Sequence, residues 1–395
     1  MRAYLDHAAT TPMRRVAVET LAELAARTGN ASSLHASGRR ARAVVEDARE
    51  RVAAALGAHP SEVVFTSGGT ESDNLAVKGA YAARRASQPA RRLVVTSAVE
   101  HHAVLDAVEH LVATQEAQAH WLRVDATGVV DAQELLEVLA RRENEVALVS
   151  VQWANNEIGT VQPIAALAAA ARDAGVPMHT DAVQAAGVLP VDVAAAGVDL
   201  LTVSSHKVGG PLGVGALLVG RRTALEPGLH GGGQQRGLRS GTLDAPGIAA
   251  FAAALDEAIA ERQQAAARLA ALRDRLISGA LALGLGIEVT GRWEAGDTAY
   301  RLPGNAHLRV PDCDGDALLY LLDAAGVECS TGSACAAGTQ RPSHVLLALG
   351  VAEDQARGAL RFSLGHTSSE DDVDAVLAVL PQVVQQARRA AGVSR

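Results

Sequence analysis

Short apolar runs alternate along this chain with longer stretches in which Ala, Leu and Val recur among Arg and Glu. Five runs, EVVFTS (62–67), RLVVTS (92–97), VALVSVQW (146–153), GVPMHTDA (175–182) and DLLTVSS (199–205), have the pattern of buried strands. Amphipathic segments near 70–85, 100–114, 131–142 and 163–174 lie between several of them, and their spacing predicts helices. This alternation predicts an α/β fold with a mainly parallel sheet and helices on both faces. Ligands in such folds gather beyond the carboxyl ends of the strands.

The pattern changes after residue 244. Residues 244–284 carry few turn signals and predict one long helix, broken once at most. Then come the strand-like NAHLRV (305–310), the helix-like DGDALLYLLDAAG (314–326), VECS, LRFSLGH (360–366) and a last helix from about 370. The expected division is a large domain over residues 15–255 and a smaller α+β domain made of 1–14 with 256–395. Neither an internal repeat nor a low-complexity linker interrupts it.

Composition narrows the function classes. With 395 residues, 48% hydrophobic and 20% charged, the chain can bury a substantial core. A net charge of −8 argues against a dedicated nucleic-acid binder, which would show a basic face. The apolar runs stay short of the roughly 18–20 residues that span a bilayer. The opening MRAYLDHAATTP is polar from residue 6 onward, unlike a signal peptide. The expected location is therefore the cytoplasm, away from membranes. Cys313, Cys329 and Cys335 are odd in number and irregular in spacing, which suggests neither a disulfide framework nor a zinc site.

Lysine usage is sharper. Of 36 basic residues only Lys78 and Lys207 are lysines, so a retained lysine points to an amine that must lose its proton, as arginine cannot. That is the requirement of Schiff-base chemistry.

Four motifs extend the point. FTSGGTESDN (65–74) runs from strand through a glycine turn into a helix, where Gly68, Gly69 and Thr70 offer an anion site; an ordinary tight turn reads the same way. VSSHKVGGPLG (203–213) sets Lys207, beside Ser204 and His206, on a loop at the sheet's carboxyl edge; a loop lysine in solvent is the plain alternative. HTDAVQ (179–184) ends a strand with Asp181 and Gln184. A buried carboxylate there needs a cation, which a protonated pyridine nitrogen would supply. His179 and Asp181 could instead start a metal site, but a third ligand is lacking, so no metal is expected. VEHHAVL (99–105) opens a helix with a histidine that could stack on a flat cofactor, move a proton, or simply cap the helix. Together the four describe a site for pyridoxal phosphate.

At this point the chain resembles the cysteine desulfurases, of the class related to the iron–sulfur-cluster and nitrogenase-maturation enzymes. YLDHAATTP (4–12), GNASSLH (29–35), TSGGTESDN, EHHAVL, NNEIGTVQPI, HTDAVQ, SSHKVGGPLGVGAL, HGGGQQRGLRSGT (230–242), STGSAC and RFSLGHT recur in the family's order along almost the whole chain. The resemblance implies the aminotransferase-like fold type I, with a seven-stranded sheet in the large domain, and a homodimer whose sites borrow across the interface. By matching position, Lys207 would hold pyridoxal phosphate covalently and Asp181 would pair with its ring nitrogen. His101 would stack on the ring, and Asn156 and Gln184 would lie near its oxygen. Gly69, Thr70, Ser204 and His206 would take the phosphate, with Thr242 from the neighbouring subunit. Asn30 and Arg361 would hold the substrate carboxylate.

Cys335 matches the catalytic cysteine, which implies conversion of L-cysteine to L-alanine with the sulfur left as a persulfide. Its setting, ECSTGSACAAG (328–338), fits: a thiol that takes sulfur in a pocket and presents it outside must swing, and small residues with Gly332 and Gly338 permit this. The longer cysteine segment places the chain in the class that passes sulfur to acceptor proteins, an iron–sulfur scaffold or a tRNA thiolase. Ser205, Leu212 and Gln235 depart from the usual glycine, lysine and glutamate without touching the chemistry. The ending AAGVSR replaces a longer tail that some members use for docking, which leaves the acceptor open. The competing readings are a selenocysteine lyase or another enzyme of this fold, an aminotransferase, and a cofactor-free sulfur carrier. A nicotinamide dehydrogenase would fit the alternation but needs a glycine fingerprint that is missing.

Overall fold

The computed structural model describes residues 2–27, 29–332 and 342–392. The chain opens with β1 (Ala3–Tyr4), α1 (Arg15–Ala25) and α2 (Ala36–Ala55). The alternation then runs β2 (Val63–Thr66), α3 (Gly69–Ser87), β3 (Leu93–Ser97), α4 (His102–Thr114), β4 (Gln118–Leu122), α5 (Ala132–Arg142), β5 (Val146–Ser150) and α6 (Ile164–Asp173). It continues with β6 (Met178–Asp181), α7 (Val193–Ala196), β7 (Leu200–Ser204) and β8 (Gly215–Val219). After α8 (Ala245–Ala282) come β9 (Glu288–Val289), β10 (Asn305–Arg309), α9 (Gly315–Ala324) and β11 (Val327–Glu328). The last elements are α10 (His344–Ala348), α11 (Glu353–Ala356), β12 (Ala359–Ser363) and α12 (Glu370–Ala390).

Strands β2 to β8 form one seven-stranded sheet in the order β2-β8-β7-β6-β5-β3-β4. Only β8 runs against its neighbours, so the carboxyl ends of the other six share one edge. The five apolar runs became the buried strands β2, β3, β5, β6 and β7. Two strands of this sheet, β4 and β8, escaped the sequence pattern. Edge strand β4, QAHWL, has an apolar–polar mix because much of it meets solvent. Strand β8 is apolar but short, and it begins two residues after the glycine-rich loop 203–213, which masks its start.

Helices cover both faces. One apolar cluster joins α2, α5, α6 and the first part of α8 to one face of the sheet, and α3 with α4 cover the other. A separate cluster gathers β1, β10, β12, α9 and α12 around the second part of α8. Helix α8 is a single unbroken element of 38 residues, about 57 Å at 1.5 Å per residue, and it enters both clusters: Ala245–Ala258 in the first, Leu269–Ala280 in the second. Asp244 caps it by accepting the Gly247 N–H at 3.1 Å. In the smaller half β10 lies between β12 and β9, antiparallel to both, while β1 pairs in parallel with β11. The first strand of the chain thus belongs with the last third. Among the described residues no helix is long and apolar enough to cross a membrane.

Candidate active site

Each strand that ends at the shared edge delivers polar residues to one place. After β2 the chain turns through Gly68, at φ +148°, into the N-terminus of α3. A Cβ added to Gly69 would lie 3.0 Å from Val183 Cγ2, so a side chain there would require Val183 to shift. Glu71 holds the turn: its carboxylate accepts the Ser67 N–H at 2.7 Å and pairs with Arg239 Nε at 2.8 Å. The first N–H groups of α3, with Thr70, therefore face the cavity as an anion-binding end.

Strand β3 leads to His101, which caps α4 by accepting the Ala103 N–H on Nδ1 at 3.1 Å. Burial, and next the charge of Lys207, press this imidazole down to about 4, so it is neutral and its proton sits on Nε2. Behind it Glu100 is buried, bonded to Ser97 Oγ at 2.5 Å and to the Gln152 N–H at 2.9 Å, and burial raises it to about 8. Strand β6 ends in Asp181, whose Oδ1 accepts the Val183 N–H at 2.8 Å. Burial lifts this carboxyl to about 6. From β7 a short 3-10 turn, Ser205–Lys207, carries the lysine. Lys207 Nζ donates to the carbonyls of Ala8 at 2.5 Å and Ala9 at 2.7 Å. Burial first, and the charge of Arg361 second, lower Lys207 to about 8. Arg361 comes from β12 in the smaller half, with Nη1 on the Asn156 carbonyl at 3.0 Å and Nη2 on Asp6 at 2.7 Å.

Nine of the residues singled out in the sequence line one cavity of about 370 Å³: Gly69, Thr70, His101, Asn156, Asp181, Gln184, His206, Lys207 and Arg361. Ser204 lies buried at the end of β7, with its Oγ 3.8 Å from the point where a Cβ on Gly68 would sit, beneath the turn. Asn30 and Thr242 are exposed and do not line the cavity in this single chain. Cys335 lies outside the described residues, although Gly332, three positions earlier, is part of the wall. Asp6, which pairs with Arg361, and the wall residues Asp73, Gln152 and Ser330 were not foreseen. Asp6 and Asp73 stood inside motifs already quoted, but nothing local marks a residue whose partner lies hundreds of positions away.

The donors fit pyridoxal phosphate. Asp181 is buried, accepts one backbone N–H, and faces a cavity where a protonated ring nitrogen would give it the cation a buried carboxylate requires. The α3 N-terminus suits the phosphate and Lys207 is the one amine on the wall. Among the described residues no group of three or more His, Cys, Asp or Glu is placed to hold a metal ion.

Comparison with known proteins agrees with this geometry. Residues 3–376 match the family described as aminotransferase class-V. The IscS-like cysteine desulfurase of Mycobacterium tuberculosis is 56% identical over 389 residues, which is 98% of each chain. A solved NifS-like protein superposes with a TM-score of 0.89 at 34% identity, covering 98% of this chain and 100% of that one. SspA in complex with cysteine superposes with a TM-score of 0.77 at 33% identity, covering 92% and 99%. The fold is that of the type I pyridoxal-phosphate enzymes. The chain belongs to the class-V aminotransferase family, among its cysteine desulfurases.

Proposed function

We propose that this chain is a pyridoxal-phosphate-dependent cysteine desulfurase that converts L-cysteine to L-alanine and keeps the sulfur on Cys335 for transfer. The observation that carries the reading is the meeting of Lys207, Asp181, His101 and Arg361 on one cavity wall. Bound pyridoxal phosphate supplies the sink for the electron pair released at the substrate Cα. Lys207 holds the cofactor and, with its proton affinity lowered by burial, takes and returns protons near neutral pH. Asp181 keeps the ring nitrogen protonated, and the α3 N-terminus with Thr70 and His206 receives the phosphate. His101, neutral, would lie against the ring and offer its Nε2 proton to the reacting end.

Arg361 orients the substrate by its α-carboxylate. The Cys335 thiolate then forms a bond to the substrate sulfur as the carbon–sulfur bond breaks. The carbon side keeps the pair, takes up protons and leaves as alanine, so L-cysteine and enzyme thiol become L-alanine and enzyme persulfide. Gly332, three positions before Cys335 in the sequence, lines the same cavity.

Our reading includes a cytoplasmic homodimer. Asn30 and Thr242, off the cavity in one chain, would complete the site from the neighbouring copy, and an iron–sulfur scaffold or tRNA thiolase would receive the sulfur. The division into residues 15–255 and 1–14 with 256–395 belongs to the same reading, supported by the two apolar clusters that meet along α8. A selenocysteine lyase is not favoured, since the relatives are named cysteine desulfurases and one related structure holds cysteine. The test is to supply L-cysteine with a reductant and measure alanine and sulfide together. Equal yields, lost in Cys335→Ser while the cofactor stays bound, are expected; alanine without sulfide, or full activity in that variant, would overturn the reading.

A further inference from the structure

The turn near the start of the chain links both charged ends of the site. Asp6 Oδ1 accepts from Arg361 Nη2 at 2.7 Å, with the arginine side chain 5% exposed and the aspartate 23%. Arg361 Nη1 is used by the carbonyls of Asn156 and, at 3.5 Å, Gly332, while its buried Nε has no partner among the described residues. Among those residues Asp6 is the carboxylate paired with this guanidinium. The Asp6 carbonyl accepts the Ala9 N–H at 3.0 Å and so closes the turn whose Ala8 and Ala9 carbonyls hold Lys207. Gln184 Nε2 fixes the same Ala8 carbonyl at 2.9 Å. One four-residue turn therefore joins the arginine to the lysine.

We propose that Asp6 is a positioning residue: it holds Arg361 in its carboxylate-binding pose and offsets the guanidinium charge felt by both the substrate and Lys207. Without that offset a buried guanidinium would grip a carboxylate more tightly and release the product more slowly. The charged and titratable groups around Lys207 are Asp6, Asp181, Arg361, His101 and His206. Those around Asp6 are Arg361, Lys207, Tyr4 and Cys329. Of these, Asp6 and Arg361 act on Lys207 in opposite directions, which makes their balance measurable. The inference rests on Arg361 holding the substrate carboxylate, and a separate variant tests that.

Asp6→Asn keeps an acceptor for Nη2 and removes only the charge. In the holoenzyme, L-alanine affinity, read from the cofactor's visible absorbance, should tighten about fivefold, the upper range of a partly exposed ion pair. The pH midpoint of that absorbance should move down by about one unit. KM for L-cysteine should fall together with kcat, and Asp6→Glu should restore the wild-type values. Wild-type alanine affinity and midpoint in Asp6→Asn would overturn the proposal. Unchanged alanine affinity in Arg361→Gln would instead remove the reading beneath it. Should Asp6→Asn alone not accumulate folded, Asp6→Asn/Arg361→Gln leaves no unpaired buried charge. Arg361→Gln alone should raise the midpoint and the double variant should bring it back; a double variant matching Arg361→Gln would also overturn the proposal.

Discussion

Two lysines, two cysteines and an aspartate separate chemistry from packing. Lys207→Arg keeps a cation but no amine that can shed its proton, so turnover should vanish and any remaining cofactor should be released by denaturation without a chemical link. Normal alanine production would refute the assignment. Lys78→Arg, on the outward part of α3, should be nearly silent. Asp181→Asn removes the carboxylate proposed to pair with the ring nitrogen, and alanine formation should slow by orders of magnitude while cofactor binding survives. Cys329 is buried just after β11, and burial pushes its thiol up to about 12, so it is protonated at neutral pH and a poor nucleophile. Cys329→Ser should therefore keep activity and lose roughly 1–3 kcal/mol of stability if the hydroxyl is unpaired. Mass spectrometry after L-cysteine, with no reductant present, should find the extra sulfur on Cys335; sulfur on Cys329 would sink the mechanism.

Among elements, the β2–α3 junction is the most demanding. Gly69→Ala would favour the helix by propensity, yet its methyl would press on Val183 at the turn proposed to receive the phosphate. Cofactor affinity should fall about tenfold, near 1.4 kcal/mol, with little change in the melting point of the cofactor-free chain. A melting-point loss with unchanged cofactor affinity would show that the glycine serves the fold alone. This junction was legible in the sequence, because a buried strand, two glycines and a helix start are contiguous. Strand β4 was not, since an edge strand meeting solvent loses the continuous apolar pattern that marked β2, β3 and β5 to β7. The same contrast holds within the site. Lys207, just after a predicted strand, and Asp181, at the end of one, announced themselves, whereas Asp6 pairs with Arg361, 355 positions on.

For the whole molecule, buried titratable groups set the pH range of stability. Burial lowers six imidazoles, His7, His101, His179, His206, His307 and His366, so the unfolded chain binds those protons first as pH drops below about 6.5. Their contribution is present above that value and lost as pH falls toward 4. Four buried carboxyls, Asp73, Glu100, Glu157 and Asp181, are raised and act with the opposite sign, losing their contribution as pH rises through their folded values. Six outweigh four below pH 6.5, and above it Glu100 continues to titrate up to about 8. Urea midpoints of the cofactor-free chain should accordingly climb from pH 4.5 to about 6.5 and decline again toward 8; a steady rise through pH 8 would contradict this balance. The pairing of β1 with β11 has a different consequence, in the order of synthesis. Residues 3–9 emerge from the ribosome more than 300 positions before Val327, Glu328 and Ser363, which hold them. A nascent chain can complete the seven-stranded sheet and carry Lys207 while lacking both the docked carbonyls that hold the amine and Arg361 itself. On the proposed function, chemistry on L-cysteine therefore waits for the last strand, and an interrupted chain that stops short of β12 should be silent however well its large sheet has folded.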